Sequence, residues 1–219
     1  MTLLKDEVER FQAWAATQKK ESGEWECDYE AWSALYAAAQ AALLAPRLLD
    51  SDVERLLYAL ARDNECECIL GMLTEHPENG MCMARAALQY PDPDARWQVA
   101  EFLGTRDEPA ARELLRHLVA DGEEYVRRRA LLASVPKDPD FAAEVAWTWL
   151  SADYEYARLA ALSVLHQLDS PRLAEAMTRL SDDASPYVQG KLAVLRNERG
   201  MSATGVAVRI QLSENDDAT

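Results

Sequence analysis

One hexapeptide pattern returns every 31 residues, and that period restricts the chain to a narrow set of architectures. Ala95-Arg96-Trp97-Gln98-Val99-Ala100 is followed at this interval by Val126-Arg127-Arg128-Arg129-Ala130-Leu131, Ala157-Arg158-Leu159-Ala160-Ala161-Leu162 and Val188-Gln189-Gly190-Lys191-Leu192-Ala193. Tyr125, Tyr156 and Tyr187 keep the interval, as do Arg96, Arg127 and Arg158. The segment before each hexapeptide repeats as well: Glu113, Glu144 and Glu175 correspond, and so do Leu118, Trp149 and Leu180. Two helices of about 11 to 13 residues with two short turns fill such a unit. A lone pair of this size cannot bury its apolar face, so successive pairs stack and share a continuous core. Val99, Ala130, Ala161 and Leu192 then fall on one buried line, with small residues where helices approach closely.

Apolar residues recur at intervals of three and four almost to Arg199, with Pro and Gly between the periodic segments, so the chain reads as all-α. Helices are predicted near 2–19, 28–44, 50–62, 65–75, 79–89, 94–104, 108–120, 123–134, 139–151, 154–167, 171–181 and 185–198. Asp92-Pro93, Asp138-Pro139, Ser170-Pro171 and Ser185-Pro186 mark helix starts, since Pro is tolerated in a first turn. Residues 1–62 read as a divergent N-terminal helical cap, 63–199 as repeats that become regular from 91, and 200–219 as a C-terminal extension. Within that extension Val206 to Leu212 alternates with period two, which predicts a short strand or extended tail, and Ser213 to Thr219 is expected to be disordered.

The Asp-Pro-Asp-Ala-Arg run of residues 92–96, the Val-Arg or Ala-Arg opening of the second helices, the small residues inside them and the period together resemble the short, bilin-lyase-type HEAT-like repeats that build α-solenoids. The resemblance covers 91–199, about half of the chain, and weakens before it. Asp63, Asn64 and Cys68 align one period ahead of Asp94, Ala95 and Val99, but Glu65 stands in the arginine's place. Leu56 to Glu65 is similar to segments of bacterial HEAT-like proteins. The resemblance implies a right-handed α-solenoid of stacked antiparallel helix pairs whose second helices line the concave face. It implies a binding surface more often than an active site, and it leaves the activity open.

Charge narrows the partner. The 219 residues carry 38 Asp and Glu against 23 Lys and Arg, a formal net charge of -15. Residues 1–90 hold 16 acids and 8 bases and residues 91–199 hold 19 and 14, so the N-terminal portion is the more acidic. Such a surface repels phosphate backbones and anionic headgroups, which argues against nucleic acid and membranes and favours a basic protein. No apolar run approaches the roughly 18 residues that span a bilayer. The hydrophobic share of 49% separates the chain from acidic disordered sequences. Cys27, Cys66, Cys68 and Cys82 form no disulfide framework, and the start turns charged within five residues, so reduced thiols in a cytoplasm are expected.

The sharpest constellation is the ladder Arg96, Arg127, Arg158. One expectation is structural, each arginine bridging to an acid or carbonyl of the neighbouring repeat. The other is a row of guanidinium groups on the concave face, flanked by Trp97 and Arg128, that grips carboxylates or phosphates of a protein partner. Arg128 and Arg129 do not repeat and are expected to face solvent or a ligand. Trp25, Tyr29, Trp32 and Tyr36 follow helical spacing and share a face. That stripe forms the core of the cap or, where exposed beside Glu26, Asp28 and Glu30, an anchor for a basic protein. Cys66 and Cys68 sit at i and i+2, point to different sides of a helix, and read as buried thiols rather than metal ligands. His76, His117 and His166 are scattered, and no Gly-rich phosphate loop opens a helix. No catalytic residue, cofactor or metal is expected.

The expected function is therefore a non-catalytic interaction solenoid that binds a basic protein, for example as a bacterial immunity protein covering the nucleic-acid site of a cationic toxin. Short HEAT-like repeats also occur in bilin lyases and in a class of DNA glycosylases. A bilin-lyase-like enzyme or cofactor chaperone would use Arg96, Arg127 and Arg158 as carboxylate partners, whereas the net charge opposes the glycosylase. A general assembly adapter is the third reading. Oligomeric state is not encoded in any of these patterns.

Overall fold

A computed structural model describes residues 3–18, 25 and 29–198. Glu26, Asp28 and the strand and disordered end expected beyond residue 200 lie outside the described residues. Within them the chain forms twelve helices and no strand, an all-α fold of successive helices packed on their neighbours in the manner of an α-solenoid. Contacts divide it into two compact units, Met1–Pro139 and Asp140–Thr219.

The first unit holds α1 (Leu4–Ala15), α2 (Trp32–Leu43), α3 (Asp50–Arg62), α4 (Cys68–Glu75), α5 (Pro77–Ala87), α6 (Pro93–Gly104), α7 (Pro109–Leu118) and α8 (Glu124–Ser134). α3 coincides with the sequence expectation: Asp50 and Asp52 occupy its first turn and Arg62 its last, each opposing the helix dipole favourably. α6 begins on Pro93, with the Asp92 carboxylate accepting the Asp94 amide at 3.1 Å. α4 begins three residues later than the spacing predicts. Glu67 adopts a left-handed backbone (φ 52°), and the fully buried Asp63 carboxylate accepts the Ile69 amide at 2.6 Å, so the cap of α4 is set from within the loop.

α6 packs side by side with α3 and α8, while α5 pairs with α6 and α7 with α8. Two glycines permit the close approaches. A Cβ on Gly80 would stand 2.5 Å from the Phe102 ring, and one on Gly104 2.9 Å from the Ala133 Cβ. Side-chain amides tie the less regular N-terminal helices to the repeats. Asn79 donates to the Leu43 and Ala45 carbonyls at 2.8 Å each, and the buried Gln98 donates to the Leu60 carbonyl at 2.6 Å, in both cases satisfying groups at a helix end. α3 and the helices that follow it thus share contacts across residue 62.

The aromatic stripe of the cap gathers around Phe11 of α1. Tyr29, Trp32, Trp14 and Trp25 approach it with ring centroids at 4.8, 5.1, 5.4 and 6.0 Å. Tyr36 stacks on Trp32 and donates its hydroxyl to Asp63 at 2.6 Å.

The second unit holds α9 (Pro139–Trp149), whose first residue is the last of the unit before, α10 (Glu155–Gln167), α11 (Leu173–Arg179) and α12 (186–198). α10 ends on Asp169 at φ 46°, where the Ser170 amide returns to the Leu165 carbonyl at 2.9 Å, a Schellman-type stop made by Asp where Gly is commoner. Ala161 and Leu192 are fully buried here, as Val99 and Ala130 are in the first unit, so the small-residue line of the repeat is core in each.

Candidate protein-interaction surface

The ladder arginines are spent inside the fold. Arg96 forms a two-pronged bridge to Asp121, Nε to Oδ2 at 2.8 Å and Nη2 to Oδ1 at 3.0 Å, and its Nη1 donates to the Tyr90 and Pro91 carbonyls at 2.8 and 2.9 Å. Arg158 repeats the arrangement in the second unit, with Asp183 at 2.6 and 2.9 Å and the Ala152 and Asp153 carbonyls at 2.7 and 2.9 Å. A guanidinium has five N–H donors. Four are committed at each site, so gripping a ligand carboxylate at two points through Arg96 or Arg158 would require breaking one of these bonds.

Arg127 keeps half of the pattern. Its Nη1 donates to the Asp121 and Gly122 carbonyls at 2.7 and 3.0 Å, while Nη2 turns back to Glu124 at 2.9 Å. The acid that receives Arg96 or Arg158 lies 25 residues further on, and the corresponding position after Arg127 is Ala152. Asp121 and Asp183 also accept the Glu123 and Ser185 amides, at 2.8 and 2.9 Å. One carboxylate therefore closes a turn and holds an arginine. The Arg158 bonds, joined by the Ser185 amide, keep Asp183 below the ordinary aspartate range, and Asp183 in turn raises Arg158. At Asp121, burial pushes the carboxyl up, but Arg96 and the Glu123 amide outweigh it and the net direction is down.

Trp97 and Trp25, named from sequence as contact residues, are each 5% exposed. Trp97 meets Tyr125 edge-on with centroids at 5.6 Å, donates its indole N–H to Asp94 at 3.1 Å, and carries the Arg129 guanidinium 4.8 Å from its ring. Arg129 also pairs with Glu101 at 2.8 Å. Arg128 lies over the Tyr125 ring at 4.9 Å, and Glu30 is exposed. Cys66 and Cys68 are exposed rather than buried: Cys66 lies in the turn before α4, and Cys68 is the first residue of that helix. Among the described residues, no group of three or more His, Cys, Asp or Glu is placed to hold a metal ion, and no helix is long and apolar enough to cross a membrane.

Exposed tyrosines stand at the starts of the second helices. Tyr125 is 43% exposed at the start of α8. At the start of α10, Tyr154 is 44% exposed and packs on Tyr156 at 5.3 Å, and Tyr156 packs on Tyr187 of α12, 56% exposed, at 5.6 Å. Carboxylates accompany each: Glu123 and Glu124 in the first unit, Asp153 and Glu155 in the second. The 31-residue spacing of Tyr125, Tyr156 and Tyr187 was visible in sequence, but the exposure of Tyr125 and Tyr187 was not, because the same period governs core and surface positions alike, and the exposed Tyr154 lies outside the series. Exposed Tyr beside carboxylate suits a cation, which gains from the ring face and from the charge.

Residues 73–135 match the family described as HEAT repeats, a stretch running from α4 through α8 of the first unit. That stretch is therefore similar to HEAT repeats, a helical module that in general mediates protein–protein interaction and typically serves as a non-enzymatic scaffold. Among curated proteins none matches the chain.

Proposed function

We propose that this chain is a non-catalytic docking protein for a basic protein partner, and that within the second unit the tyrosine and carboxylate positions at the starts of α10 and α12 make the contact. The observation that carries this reading is the internal use of the ladder arginine: with Arg158 bonded to Asp183, the second unit offers exposed Tyr154 and Tyr187, with the exposed Asp153 next to Tyr154. A net charge of -15 supports the sign of the partner, because long-range attraction accelerates encounter with a cationic surface. An immunity protein that masks the nucleic-acid site of a cationic toxin is the concrete form we favour.

The test is affinity capture from the source cells with the wild-type chain and a Tyr154→Ser/Tyr187→Ser variant side by side. The reading expects a basic protein held by the wild type, released by added salt, and depleted with the variant. A specific partner of acidic character, or equal recovery with the variant, would contradict it.

A further inference from the structure

The first unit contains a cleft of about 630 Å³ that the tyrosine surface does not include. It is lined by α1 through Val8 and Gln12, by α3, by Cys82 and Ala86 of α5, and by Tyr90. The volume falls in the range of roughly 300 to 1,000 Å³ typical of binding pockets, enough for several side chains. α3 presents Asp50, Glu54 and Tyr58 to it at successive i, i+4 positions, one stripe on one helix face.

The charges in this stripe are unequal in their commitments. Arg55 is paired with Asp52 at 2.9 Å and Arg62 with Asp92 at 2.7 Å. Asp50 and Glu54 are exposed and have no ion-pair partner among the described residues. The same neighbourhood already holds one guanidinium with an aromatic face and a carboxylate: Arg62 sits 4.0 Å from the Tyr58 ring centroid while bonding Asp92. Asp50 and Glu54 line the same cleft as Tyr58 and Tyr90, so carboxylates and aromatic faces of the kind that hold Arg62 stand together there.

We propose that this cleft is a second binding site, which takes an arginine- or lysine-bearing segment of a protein partner, the cationic head between Asp50 and Glu54 and the aliphatic stem against Tyr58 and Tyr90. The site rests on the reading of a basic partner and adds a location that the tyrosine surface does not require.

The test uses the full chain and acetyl-hexaarginine amide as the probe, with calorimetry at low salt and amide chemical-shift mapping. The cleft predicts shifts concentrated on residues 50–58 and 86–91. It also predicts a roughly tenfold weaker affinity in Asp50→Asn/Glu54→Gln, the loss expected for two partly exposed charge contacts. A Glu123→Gln/Asp153→Asn control retains cleft shifts of wild-type pattern. Shifts confined to the tyrosine positions, with the Asp50→Asn/Glu54→Gln variant binding as well as wild type, would overturn the cleft and leave the basic-partner reading standing. Failure of the wild-type chain to bind the probe at low salt would overturn both. A cooperative unfolding transition of the cleft variant well above the assay temperature separates lost contact from lost fold.

Discussion

A single arginine in this repeat does the work of a turn clasp and an inter-helix bridge at once. Arg96 and Asp121 are both about nine-tenths buried, so removing one partner strands the other charge. Asp121→Ala is expected to cost about 3 kcal/mol in urea-monitored unfolding, and Asp183→Ala a similar amount, as for other broken buried pairs. Arg127→Ala should cost roughly 1 kcal/mol, because its ion pair with Glu124 is partly solvated and only its carbonyl bonds repeat the pattern. Asp121 and Asp183 also carry a pH signature. Their carboxyls are held below the ordinary value in the folded chain, so the stability they supply is present above about pH 4 and is lost as pH falls through the lower folded value. Denaturation midpoints in acid should therefore drop less steeply in Asp183→Asn than in wild type. The arginines were legible because they recur at one period. Their acceptors were not, because only two of the three repeats carry the acid: Asp121 and Asp183 lie two periods apart with Ala152 between them. That doubled spacing was the available signal.

Among the helices, local sequence patterning predicted presence and order well. α3 and α6 carry their own start signals, and their bounds follow. α4 does not, since its cap is Asp63, five residues upstream of the helix and engaged at the same time by Tyr36. Packing partners were less visible still. The spacing of Trp25, Tyr29, Trp32 and Tyr36 placed them on one face, but the residue at the centre of that core, Phe11, comes from α1, and nothing in local periodicity pairs two helices across a loop. Phe11→Ala is expected to destabilise by about 3 to 5 kcal/mol, measured by chemical denaturation. Gly80 tests the α5 and α6 contact. Alanine there improves intrinsic helix propensity, yet its Cβ would stand 2.5 Å from the ring of the fully buried Phe102, so Gly80→Ala should destabilise by about 1 to 3 kcal/mol. A stabilised variant would mean that the ring moves freely.

Across the whole chain, the excess of acid is divided by the fold into charges that are used and charges that are offered. The repeat arginines and their aspartates cancel within the structure, whereas Asp50, Glu54, Glu123 and Asp153 remain at the surface near tyrosines. Net charge thus understates how one-signed the available surface is. The central claim is that this surface binds a basic protein, and the most direct measurement is the dissociation constant of the captured partner as a function of salt. The account predicts a basic partner whose affinity falls steadily as ionic strength rises, by several-fold over a few Debye-length halvings, with the slope reduced in the Asp50→Asn/Glu54→Gln and Glu123→Gln/Asp153→Asn variants. An affinity independent of salt, or one that strengthens with it, would contradict the account.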